Sequence, residues 1–270
     1  MAPPRDGSRP AFSPRFRWAT VLLGFGFGGF FDGILLHQIL QWHHLLSAVQ
    51  SGALADLRGQ VVADGAFHAL MYVIAGIGLV QLVRAREESA RPGAATVVST
   101  GFLMGFGSWH VLDTVVSHWL TGIHRIRMDS ADPMFWDLLW LAVFGFLPLL
   151  IALWQRSRAA ARPGSGGGSL AALLLVAATG IAGGMAARPA DAERATLTVV
   201  LRPGAGPGPM LAALTASDTR VVWSDAAGAV WVLKPGERLR PFDLYRQGAL
   251  FVSGTLAPAG CSAWLTQAKL

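Results

Sequence analysis

Charged residues in this chain are segregated from long apolar runs, and that separation constrains the fold more than any other feature. The runs are roughly 18 to 25 residues long, the length a helix needs to cross a bilayer core about 30 Å thick. Five spans are expected, at about 19–44, 61–82, 95–120, 134–154 and 169–187. With 53% hydrophobic and only 14% charged residues among 270, neither an ordinary soluble domain nor a disordered chain fits. The expected fold is an all-α polytopic membrane bundle, a four-helix core plus a fifth span.

Arginines supply the orientation. Arg5, Arg9, Arg15 and Arg17 precede the first span, Arg84, Arg86 and Arg91 follow the second, and Arg156, Arg158 and Arg162 follow the fourth. Loops on the other side hold only Arg58, Arg125 and Arg127, so the N-terminus is expected in the cytoplasm. Trp18 and Trp154 then fall at the inner surface and Trp42, Trp119 and Trp136 at the outer one. The net charge of +6 is thus a topology signal. Its residues form no basic stripe with interleaved aromatics, so no nucleic-acid partner is implied. The first run is long and lacks a small-residue cleavage signature, which reads as an uncleaved span.

The chain divides into a cytoplasmic tail (1–18), a His/Asp-rich bundle (19–156), a linker (157–168), a fifth span (169–187) and a small extracytoplasmic α+β domain (189–270). In that last domain, strands are expected at 195–201, 219–223, 229–233 and 249–253, with helical or loop segments near 207–216 and 239–247. It contains no histidine and no catalytic set, so it reads as a docking module or a passive extension. Within the spans, Gly24 and Gly28, Gly29 and Gly33, and Gly101 and Gly105 are spaced four apart, as in close helix packing. Asp132-Pro133 marks a helix start.

All seven histidines, His37, His43, His44, His68, His110, His118 and His124, lie between residues 37 and 124. Alternating span directions bring them to one leaflet, the outer one. Asp32, Asp64 and Asp113 accompany them at helical spacings. On an ideal helix His37, Gln41 and His44 share one face, Asp32 and His43 an adjacent one, and Asp64 and His68 are stacked neighbours. A carboxylate within a membrane span costs about 2.5 to 3.5 kcal/mol on insertion scales, so three of them require partners inside the bundle. The one cysteine, Cys261, excludes a Cys-based metal site. Imidazole and carboxylate ligate zinc, copper(II), iron and manganese. The expected metal donors are His37, His44, His68, His110, His118, Asp32, Asp64 and Asp113, with Gln41, His43 and His124 peripheral. Two other uses compete: histidines as hydrogen-bonding links between helices, and a proton relay.

Three stretches carry a resemblance: Gly29 to Ile34 running on through Leu36 to His44, then Asp64-Gly65-Ala66-Phe67-His68, then Asp113 with His118, His124, Ile126 and Arg127. Over residues 18–156 the chain resembles the bacterial membrane proteins grouped as domain of unknown function number 2243. Thr114 and Arg125 depart from the family's usual glycine and His or Gln. The resemblance adds Arg127 to the peripheral set and implies a bacterial inner membrane. It also implies a neighbourhood of cytochrome oxidase assembly factors, hence copper handling with a respiratory oxidase or its assembly factors as partner beside the lipid bilayer. The residues leave two alternatives: a membrane oxidoreductase with a di-metal or bis-His haem centre, and a metal-free scaffold or sensor acting through the outer domain. Nucleophilic hydrolysis lacks a Gly-x-Ser-x-Gly elbow, and Gly204 to Gly208 lacks the Lys-Ser/Thr of a phosphate loop.

Overall fold

The computed structural model describes residues 12–40, 42–52, 54–159, 168–186 and 196–252. Most of the expected tail and linker, and the positions of Gln41 and Cys261, lie outside them.

Helix α1 (Pro14–Asp32) starts where Ser13 caps it, its hydroxyl accepting from the Phe16 amide at 3.2 Å with Pro14 in the first turn. Asp56 caps α2 (Leu57–Arg84) through the Gly59 amide at 2.6 Å. Helix α3 spans Ala94–Asp113. As expected, Asp132 and Pro133 start α4 (Pro133–Trp140), which runs through a wider turn, Leu141–Phe146, into α5 (Leu147–Ala159). Helix α6 (Gly168–Ala186) lies along the bundle, where the Tyr72 hydroxyl donates to the Gly183 carbonyl. Four of these helical stretches, Pro14–His37, Arg58–Arg84, Pro133–Arg158 and Gly168–Met185, are long and apolar enough to cross a membrane. The third expected span, α3, is outside that set; its Ser, Thr and His side chains dilute its apolar character, but it runs through the centre of the bundle against α1, α5 and α6.

Helices α1 and α3 meet through glycine. A Cβ on Gly24 would collide with the Phe102 carbonyl, and one on Gly105 with the Val21 carbonyl. These contacts are the same one made twice: Gly105 lies 81 positions after Gly24, and Phe102 lies 81 after Val21. The hairpin α1–α2 is therefore repeated as α3–α4–α5, with a quasi-two-fold axis between α1 and α3.

The C-terminal region is a four-stranded antiparallel sheet of order β2-β3-β1-β4, from β1 (Leu197–Leu201), β2 (Arg220–Ser224), β3 (Val230–Lys234) and β4 (Ala249–Val252). One face buries Val199, Trp231 and Leu233 under Met210 and Leu214 of α7 (Pro207–Ala216). The 239–247 segment holds a 3-10 turn at Pro241–Tyr245. The opposite face, with Val200, Val230, Val232 and Phe251, packs on Val61 of α2, one turn before Asp64. The sheet thus sits at the His/Asp end of the bundle.

Candidate metal centre

The site is built by two π-helical turns. Asp32 and His37 are five residues apart, as are Asp113 and His118. On an α-helix such residues point about 140° apart. Directly after each aspartate, however, the helix widens, at Gly33–Ile39 and at Thr114–Leu120, so that residues five apart come into line. Amide bonds from Leu40 to the Leu35 carbonyl (2.8 Å) and from Thr121 to Val116 (2.9 Å) close the two turns alike. This corrects the shared ideal-helix face expected for His37 and His44; Gln41 lies outside the described residues. The chain then leaves each helix and returns a third residue, His43 or His124, from an irregular loop; Gly122, at φ 63°, supplies a left-handed turn in the second.

The outcome is a repeated triad. Asp32, His37 and His43 place one donor atom each within 4.8 Å of one another, as do Asp113, His118 and His124. Each member of the second triad lies 81 positions after its counterpart in the first. All six are buried. His118 Nε2 is 3.2 Å and His124 Nε2 3.5 Å from the Asp113 carboxylate, and His43 Nε2 is 3.9 Å from Asp32.

A second layer repeats as well. His43 Nδ1 donates to the Ile126 carbonyl and His124 Nδ1 to that of Leu45, each at 2.9 Å. His37 Nδ1 faces Asp64 at 3.6 Å, and His118 Nδ1 meets Asp137 at 3.0 Å, oblique to the ring N–H direction. Asp64 also accepts the Leu45 amide (2.9 Å) and contacts His44 (3.1 Å); Asp137 accepts the Ile126 amide (3.0 Å) and pairs with Arg125 (2.7 Å). In every case Nδ1 is turned to an outer partner, which leaves Nε2 for the interior. Carbonyls and carboxylates hold metal-binding imidazoles in this tautomer.

What fills the interior follows from charge and hydrogen bonding. Asp32 Oδ1 and the Nε2 atoms of His43, His118 and His124 are buried with no hydrogen-bond partner among the described residues. Leaving one such group unmade costs about 1–3 kcal/mol. Asp32, Asp64, Asp113 and Asp137 are all buried, and among the described residues Arg125 is the one guanidinium that pairs with any of them. Converging ring nitrogens and buried carboxylate oxygens fit a cation.

The remaining expected donors sit differently. His44 contacts Asp64 and forms a third possible group with it and His37. His68 donates Nδ1 to the Asp64 backbone carbonyl at 2.8 Å instead of stacking on its carboxylate, and its Nε2 points at Gly33, where a Cβ would crowd it. Gly33 therefore makes room at the site as well as packing helices. His110 is not gathered into any group: its Nδ1 accepts from the Trp140 indole at 3.1 Å, which assigns the proton to Nε2 and leaves no lone pair for a metal. Arg127 stands over the Trp42 and Trp136 rings at 5.1 and 5.0 Å and bonds Asp129, outside the triads. His43 and His124, expected at the periphery, complete the triads. Asp137 was not among the expected residues; a carboxylate one turn inside an apolar span was its signal. The Asp-x4-His-x5-His pattern, present twice, was the signal for the repeat.

These features define a polytopic helical membrane protein with a buried His/Asp centre that can hold metal. The chain belongs to the family described as predicted membrane protein (DUF2243), whose profile matches residues 19–159, both halves of the repeat and nothing of α6 or the sheet. No curated protein and no solved structure matches the chain.

Proposed function

We propose that this protein is a membrane metalloprotein whose bundle holds two transition-metal ions, one on Asp32, His37 and His43 and one on Asp113, His118 and His124. The observation that carries the reading is the repetition of a complete two-His, one-carboxylate set at a constant offset, each set backed by a loop carbonyl and a second buried carboxylate. That composition leaves coordination positions open and is typical of non-haem iron sites, while zinc, manganese and copper(II) accept the same atoms. Open positions are where a small molecule would react, which supports a membrane oxidoreductase with a di-metal centre over a bis-His haem. The copper delivery to a respiratory oxidase that the resemblance implies calls for exchangeable, commonly sulfur donors; these are buried nitrogen and oxygen. The ten arginines on one side support a cytoplasmic N-terminus, with the centre at the outer face of a bacterial inner membrane.

Elemental analysis of the detergent-purified full chain tests the proposal. About two equivalents of a transition metal are expected, falling to about one in Asp113→Ala with the melting profile retained. Less than about 0.3 equivalents in the wild type overturns it.

A further inference from the structure

At the end of the bundle away from the His/Asp layer, a groove of about 620 Å³ runs along the outside of α1 and α2. Val73, Ile77 and Val80 line it at helical spacing and are about half exposed, and a Cβ on Gly76 would meet nothing within 4 Å. Arg15, in the first turn of α1, and Arg84, the last residue of α2, close one end of the groove. Neither has an ion-pair partner among the described residues. The acid whose charge Arg15 feels, Glu88, is engaged by the Ser13 amide and hydroxyl and by Arg91 at 3.6 Å. The groove therefore joins an apolar channel on a membrane-facing helix to two uncompensated guanidiniums at its headgroup end.

We propose that this groove binds an anionic phospholipid, its phosphate held between Arg15 and Arg84 and one acyl chain lying over Val73, Ile77 and Val80. Charge complementarity selects the anionic headgroup, and guanidinium matches phosphate in a bidentate fashion. The apolar lining that continues from the two arginines along α2 selects a lipid over a soluble anion. Basic pockets beside membrane helices take such lipids.

The full-length protein, delipidated in detergent, is titrated with phosphatidylglycerol or phosphatidylcholine and the retained lipid counted by native mass spectrometry. Phosphatidylglycerol is expected to be retained about 10- to 30-fold more strongly, the effect of two basic groups at a membrane surface. Arg15→Gln with Arg84→Gln should abolish that preference while metal content stays unchanged and cooperative melting is kept, and each single variant should lose part of it. Equal retention of the two lipids, a preference surviving in the double variant, or displacement by millimolar inorganic phosphate overturns the proposal. Should the double variant misfold, the single variants decide.

Discussion

His43 and His124 lie face to face, ring centroids 4.5 Å apart and planes 6° from parallel, and each bonds the loop that carries the other. His43 holds Ile126, two residues beyond His124; His124 holds Leu45, two residues beyond His43. The quasi-two-fold axis passes between the two rings. Because each Nδ1 is committed outward, the two Nε2 lone pairs face inward toward their own aspartates, and neither ring can turn without releasing the other half's loop.

The outer carboxylates should tune the ions without holding them. Asp137→Asn keeps the shape and removes the charge facing His118, and Asp64→Asn does the same for His37. Each variant should retain close to the full metal complement in excess metal but weaken one ion about 10- to 100-fold in competition with a chelator. Loss of both ions from either variant would contradict independent halves.

His110 should not matter to metal at all. His110→Leu leaves metal content unchanged, and with the Trp140 indole deprived of its acceptor it should cost about 1–3 kcal/mol of stability, seen as a lower melting temperature. A variant that loses metal would return His110 to the donor set.

Gly105→Ala pushes a methyl into the Val21 carbonyl at the α1–α3 contact, whereas Gly180→Ala on α6 meets open space. The first should destabilise by about 1–3 kcal/mol and the second should be neutral or slightly favourable. Thermal melting of both variants, side by side, separates helix packing from generic helix propensity.

Glu88 ties the start of α1 to the α2–α3 turn. Burial alone would push its carboxyl up, but hydrogen bonds from the Ser13 hydroxyl and amide, with Arg91 and Arg15 nearby, outweigh that and hold it below the usual carboxylate range. A carboxylate lowered on folding adds stability that is fully present above its unfolded value, about 4.3, and is lost as pH falls through the folded value. The melting difference between wild type and Glu88→Gln should hold constant above about pH 5 and shrink below about pH 4. A difference that grows on acidification would contradict the assignment.

Much of this was legible in the sequence, for identifiable reasons. Span length follows from bilayer thickness, the α4 start from Asp132-Pro133, and the strands from short runs rich in Val, Leu and aromatics between turn residues; β3 begins one residue from its expected place. The convergence of Asp32, Asp64, Asp113 and their histidines at one depth followed from span direction alone. What failed was angle. A 100° wheel cannot anticipate that the helix widens after Asp32 and Asp113, and those turns decide that His37 and His118 face their aspartates while His110 does not. His43 and His124 come from loops, whose path depends on each other's carbonyls across the axis. Asp137 was hidden in a run read only for its hydrophobicity.

Two ions in two equivalent places should be visible by anomalous diffraction from crystals of the purified protein, recorded at the absorption edge of the metal it contains. Two peaks are expected, one bounded by Asp32, His37 and His43 and the other by Asp113, His118 and His124, each about 2.0–2.2 Å from its nitrogen and oxygen donors. An absence of anomalous density between those side chains, with the histidines paired to the aspartates as imidazolium ions, would contradict it.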